Sequence, residues 1–144
     1  MEAIKKLAGA YLVGVSIAVA VFFIISIFLE QAISVLAVWH VLDVLMLVGL
    51  ALGMGFNYAH KQRVGGRDAG DAVTRQYLEA NVTFYITTVI TILFLHNWLV
   101  FLATGDVSQG DNHIPWIIWA VVDTGLPIIL GVTGCRLWRE SSNA

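Results

Sequence analysis

Four ionisable residues stand inside long apolar runs of this sequence: His40, Asp43, His96 and Asp123. An Asp at the centre of a membrane-spanning helix costs on the order of 3 kcal/mol on insertion scales, so each such residue raises a question of function. Imidazole and carboxylate are also the side chains that ligate metals and relay protons. If the four came together, three chemistries would be open to them.

The first is internal pairing, with Asp43 bonding His40 one turn away or His96 on a neighbouring helix, and Asp123 bonding Thr or Trp groups. Paired polar groups of this kind hold membrane helices together. The second is a redox or metal site. His40 and His96 at equal depth could supply both axial ligands of a b-type haem. With Asp43 and Asp123 added, the set becomes a mixed nitrogen and oxygen site suited to copper, zinc or non-haem iron. The third is movement of protons or small solutes along the bundle.

Composition dictates the elements that must position these groups. The 144 residues are 58% apolar and only 12% charged, with a mean hydropathy of +0.81. Soluble domains carry about twice that share of charge. Four apolar segments, at about 6–29, 33–59, 80–103 and 114–138, each reach the ~20 residues needed to cross a 30 Å hydrocarbon layer. Backbone amides in lipid must be bonded within their own segment, so all four are expected to be helical in spite of their Val, Ile and Thr content. The expected fold is an all-α polytopic membrane protein, an up-down bundle of four helices forming a single domain over 1–144. The apolar stretch after Lys5 and Lys6 is too long for a signal-peptide core and reads as a retained helix.

All eight Lys and Arg residues fall on one side of this arrangement: Lys5, Lys6, Lys61, Arg63, Arg67, Arg75, Arg136 and Arg139. The other side carries Glu30, Asp106 and Asp111. The positive-inside bias therefore places both termini and the loop 60–79 in the cytoplasm, in a bacterial-type inner membrane. Trp39, Trp98, Trp116 and Trp119 then gather at the outer interface and Trp138 at the inner one. His60 and His113 read as solvated interfacial histidines. Nothing implies a nucleic-acid surface, and the single Cys135 forms no internal disulfide.

On these helices His40 and His96 both lie about 10–12 Å below the outer surface, with Asp43 and Asp123 a turn deeper. At 100° per residue, His40, Asp43, Leu47, Ala51, Met54 and Tyr58 share one stripe. Tyr85, Val89, Ile92 and His96 share another, and Trp116, Trp119, Asp123, Pro127 and Leu130 a third. Stripes facing a common axis would bring two imidazoles and two carboxylates together in the outer half.

Close packing is expected at Gly49 and Gly53, at Gly14 with Ala18, and at Gly131 and Gly134. Pro127 removes the hydrogen bond to the carbonyl of Asp123 and predicts a kink. Asp123-Thr124-Gly125 matches the aspartic-protease tripeptide, but there it sits in a turn between strands and here it lies on a helix. The run Gly65-Gly66-Arg67-Asp68-Ala69-Gly70-Asp71 reads as a flexible linker, since it lacks the Lys-Ser/Thr ending of a phosphate loop.

In outline the chain resembles the small membrane subunits and anchors of respiratory or oxygenase complexes, a likeness of architecture alone. It implies a chain that works against the lipid bilayer and other membrane subunits, or further copies of itself. The buried His/Asp cluster would be its contribution. Binding of haem b or a transition metal, and transport, stand as alternatives.

Overall fold

The computed structural model describes residues 2–29, 33–65, 74–105 and 113–142. They form four helices and, among the described residues, no strand: α1 Glu2–Leu29, α2 Val35–Gly65, α3 Arg75–Thr104 and α4 Ile114–Ser142. All four are long and apolar enough to cross a membrane. Residues 30–32, 66–73 and 106–112, with Glu30, Arg67, Asp106, Asp111 and most of the glycine-rich linker, lie outside the described residues.

Each helix outruns its apolar segment at the end that carries the termini. α1 begins at Glu2 rather than Lys6, α2 continues through Lys61 and Arg63 to Gly65, α3 starts at Arg75, and α4 runs on through Arg139 and Glu140. Extending a formed helix adds one hydrogen bond per residue fixed, so nothing stops it where the apolar residues stop. At 1.5 Å per residue the helices are about 42–46 Å long, enough to leave polar turns beyond a 30 Å layer. The start of α3 is fixed by Thr74, whose hydroxyl accepts from the Tyr77 N–H at 3.2 Å. Its end is fixed by Gly105 at φ 69°, whose N–H reaches the Phe101 carbonyl at 2.8 Å. A left-handed residue at that position is the usual way to satisfy the last carbonyls of a helix.

Contacts along the chain define an up-down-up-down order. Gly9 meets Gly134 and Ser16 meets Pro127, so α1 and α4 are antiparallel. The pairs Phe22 with Trp39, His40 with Phe101 and Asn97 with Pro115 set the remaining neighbours antiparallel in the same way. α2 and α4 run parallel and touch across the middle, whereas the α1 and α3 backbones stay apart, with no Cα pair within 8 Å among the described residues. The bundle is therefore a rhombus in cross-section. Its two ends are here called the termini end and the turn end, the latter carrying the α1–α2 and α3–α4 connections.

Glycine decides which helices come closest. A Cβ on Gly134 would lie 2.8 Å from the Gly9 carbonyl oxygen and 3.0 Å from the Val13 nitrogen, so the α1 and α4 backbones are in direct contact there. Next to this point Ser16 donates to the Pro127 carbonyl at 2.6 Å, and Gly131 faces Ser16. Gly49 and Gly53 both lie against Leu130, and this admits α4 to the α2 face along the short diagonal. Gly14 and Ala18 face outward instead of packing as expected: nothing comes within 4 Å of a Cβ on Gly14. The small-residue surface of α1 is thus the Gly9 and Ser16 face, on a different side of the helix from the expected one.

The core between the helices contains Leu12, Val19, Met46, Leu50, Phe94, Val122, Leu126 and Leu130, all fully buried. The outward surface is apolar as well, including Ile4, Leu7, Ile24, Phe28, Val41, Ile92, Leu99 and Ile128. Such a surface suits hydrocarbon, and helix association against it depends on close packing and polar contacts. α4 runs unbroken through Pro127.

Candidate functional site

Near the turn end the bundle opens into a cavity of about 350 Å³. α2 contributes Trp39, His40 and Asp43, and α4 contributes Trp116, Trp119 and Asp123. Phe23 and Ser26 of α1, Leu36 of α2, Phe101 of α3 and Ala120 of α4 complete the wall. The Ser26 hydroxyl is committed to its own helix, donating to the Phe23 carbonyl at 3.2 Å. His40 sits at the rim, exposed, with its ring stacked on Phe101 at 5.1 Å between centroids. Phe22 backs Trp39 edge to face at 5.1 Å. Asn97 ties the start of α4 to α3 by donating to the Pro115 carbonyl at 2.8 Å.

Asp43 and Asp123 are level with each other because α2 and α4 are parallel, with Gly49 against Leu130 one to two turns further along. Both line the same cavity. Both are buried, at 4% and 6% exposure. Asp123 Oδ1 is sealed from solvent and has no hydrogen-bond partner. One turn below it, Pro127 has no N–H to give the Asp123 carbonyl. Two carboxyl groups are thus buried in apolar surroundings, with no Lys or Arg lining the cavity among the described residues. Uncompensated charge in such a place is costly.

Of the four residues singled out in the sequence, the structure brings together His40, Asp43 and Asp123. His96 is not among them. It is exposed on the outer face of α3, with Tyr85, Val89 and Ile92, and does not line the cavity. The inward face of α3 is instead Thr83, Thr87, Ile90, Phe94, Asn97 and Phe101. The expected pairing of His40 with His96 across one haem-sized slot is therefore not assembled. No group of three or more His, Cys, Asp or Glu residues among those described is placed to hold a metal ion, so the set His40, Asp43, His96 and Asp123 does not form a ligand cage. The α2 stripe is only partly right: Asp43 faces inward, but Ala51 and Tyr58 are exposed and the packed residues are Met46, Gly49, Leu50, Gly53 and Asn57. The α4 stripe faces inward at Asp123, Pro127 and Leu130, while Trp116 at its turn end stays exposed.

A second polar cluster, toward the termini end, has no counterpart in the sequence reading. Asn57 is buried at the helix junction and donates through Nδ2 to Thr87 Oγ1 at 2.9 Å and Thr133 Oγ1 at 3.1 Å. Its Oδ1 accepts from Arg136 Nη2 at 2.8 Å. Arg136 Nε lies 3.7 Å from Glu140, which is 3.6 Å from Lys5. These contacts join α2, α3 and α4 through one amide and tie α1 to α4 at the surface. Thr87 and Thr133 carry no charge, so a search for ionisable residues passes over them; the signal was the Thr83, Thr87 and Asn97 spacing on α3. Between the two polar clusters Met46, Leu50, Leu126 and Leu130 form a fully buried apolar layer.

Fold and site together define a class: an all-helical bundle of four membrane-length helices with an acidic, aromatic-walled pocket near one end. Compared with protein-family models, curated proteins and solved structures, the chain matches none.

Proposed function

We propose that this chain is a small integral membrane subunit or accessory protein of a larger membrane complex, of respiratory or oxygenase type, and that its contribution is the pocket between Asp43 and Asp123. The observation that carries this reading is a buried carboxyl oxygen with no hydrogen-bond partner, Asp123 Oδ1, on a residue that lines the cavity. A buried polar group left unpaired costs on the order of 1–3 kcal/mol, and more when it is charged. Such a cost is retained where the group has work to do. With the basic side chains at the termini end, the positive-inside bias sets that end in the cytoplasm and opens the pocket toward the outer side of an inner membrane.

The other readings have less support. A haem held between His40 and His96 needs those rings to face each other, and His96 faces outward. A conduit needs continuity, and the apolar layer at Met46, Leu50, Leu126 and Leu130 separates the acids from Asn57.

Two measurements test the proposal. Solubilised gently from its own membrane, the protein is expected to migrate on native gels with larger subunits; migration as this chain alone would overturn the accessory role. A cysteine at Ala120 on the pocket wall, in a Cys135→Ser background, is expected to react with an impermeant maleimide added outside intact cells. Reaction only from the inner face would overturn the orientation.

A further inference from the structure

The chemistry of the walls narrows what the pocket can hold. Two carboxyl groups converge from α2 and α4, Asp123 is 94% buried by its 6% exposure, and its Oδ1 lacks any partner. Around them stand the aromatic side chains of Trp39, Trp116, Trp119 and Phe101. An anion would meet two acids and no Lys or Arg. A neutral apolar molecule would leave the buried carboxyl oxygen of Asp123 without a partner. A bare metal ion would find no set of three ligands among the described residues and a space far larger than it fills. A compact cation bearing apolar groups satisfies both parts of the site, because carboxylates neutralise its charge and aromatic faces attract it through their quadrupoles.

We propose that the pocket takes a small organic cation, an amphiphilic ammonium ion whose charge lies by Asp43 and Asp123 and whose apolar part rests on Trp39, Trp116 and Trp119. This rests on the reading of the pocket as the working site and adds the class of its ligand. Entry is from the turn end, past the exposed rings of His40 and Trp116. The apolar layer beneath Asp123 stops the ion from going deeper.

The test uses benzyltrimethylammonium, which keeps its charge at every pH, beside neopentylbenzene, its neutral carbon isostere. Binding to the purified full chain in nanodiscs is followed by calorimetry and by tryptophan fluorescence, since three of the five Trp residues line the site. Saturable binding of the cation is expected, weakened at least about tenfold in Asp123→Asn and in Asp43→Asn, as loss of a buried charge partner implies. Trp119→Leu is expected to weaken it severalfold with both acids in place. Asn keeps the shape of Asp, and melting of each variant at or above that of the native chain identifies a folded protein, since removing a buried acid does not destabilise. If the isostere binds as tightly as the cation, or if both Asn variants bind like the native chain, the cation proposal is overturned while the pocket remains a binding site. If neither compound saturates, the pocket is not a working site and the underlying reading fails with it. Binding seen only after a neighbouring subunit is stripped from the native complex would mean that a basic side chain of that subunit fills the pocket, which also overturns the small-ion proposal.

Discussion

Gly134→Ala offers a sharp test of the packing. The added methyl would sit 2.8 Å from the Gly9 carbonyl oxygen, 2.8 Å from Val13 Cγ2 and 3.0 Å from the Val13 nitrogen. The Val13 side chain can rotate away, but the two backbone atoms can withdraw only if α1 moves as a body. That displacement would also strain the Ser16 bond to the Pro127 carbonyl, two turns away. Overpacking a close contact costs about 1–3 kcal/mol, while replacing Gly by Ala inside a helix returns only about 0.5–1 kcal/mol. The net from those two ranges is a destabilisation of about 0–2.5 kcal/mol, centred a little above 1 kcal/mol. Gly14→Ala on the opposing helix is the matched control, because nothing lies within 4 Å of its Cβ; it is expected to be neutral or stabilising by up to about 1 kcal/mol. Reversible unfolding in mixed micelles measures both. Equal effects from the two substitutions would refute the assignment of Gly9 and Gly134 as the point where α1 and α4 touch.

Asn57→Leu should cost about 1–3 kcal/mol, because it leaves Arg136 without its acceptor as well as freeing Thr87 and Thr133. The double variant with Arg136→Met should recover part of that loss, and a cycle of unfolding measurements that is strictly additive would show the two residues to be uncoupled. His96→Ala should leave benzyltrimethylammonium binding and melting unchanged, whereas His40→Ala at the pocket rim should weaken binding a few fold; calorimetry that reverses this order would place His96 in the site. A cysteine at Arg67 in a Cys135→Ser background should be labelled only once the inner membrane face is exposed, and labelling in intact cells would invert the proposed topology.

Asp43 and Asp123 were legible in the sequence because a carboxylate in an apolar run of some twenty-five residues has few explanations. Their meeting was foreseeable in part, since depth along a helix follows from residue count alone. His96 shows where such reasoning stops. α3 is apolar on nearly every side, so hydrophobic pattern does not say which face turns inward, and a stripe drawn through the histidine has no better claim than one drawn through Thr83, Thr87 and Asn97. The small polar stripe is the one that packs. The same holds for α1, where Gly14 with Ala18 and Gly9 with Ser16 offer comparable surfaces and only the second meets a partner. Trp39, Trp116 and Trp119 read as an interfacial belt, and proximity to the interface does not reveal that their rings also wall a cavity.

The sequence by itself determines four helices long and apolar enough to cross a membrane, because hydrogen-bonding in hydrocarbon leaves the backbone no other form and the length of each apolar run is a local property. Which faces meet is decided in three dimensions. Gly9 against Gly134 and Gly49 against Leu130 set a rhombic bundle with α2 and α4 in contact. That contact draws Asp43 and Asp123 together and leaves His96 outside. In hydrocarbon no solvent force distinguishes one apolar face from another, so the choice falls to a few close approaches and hydrogen bonds between residues far apart in the chain.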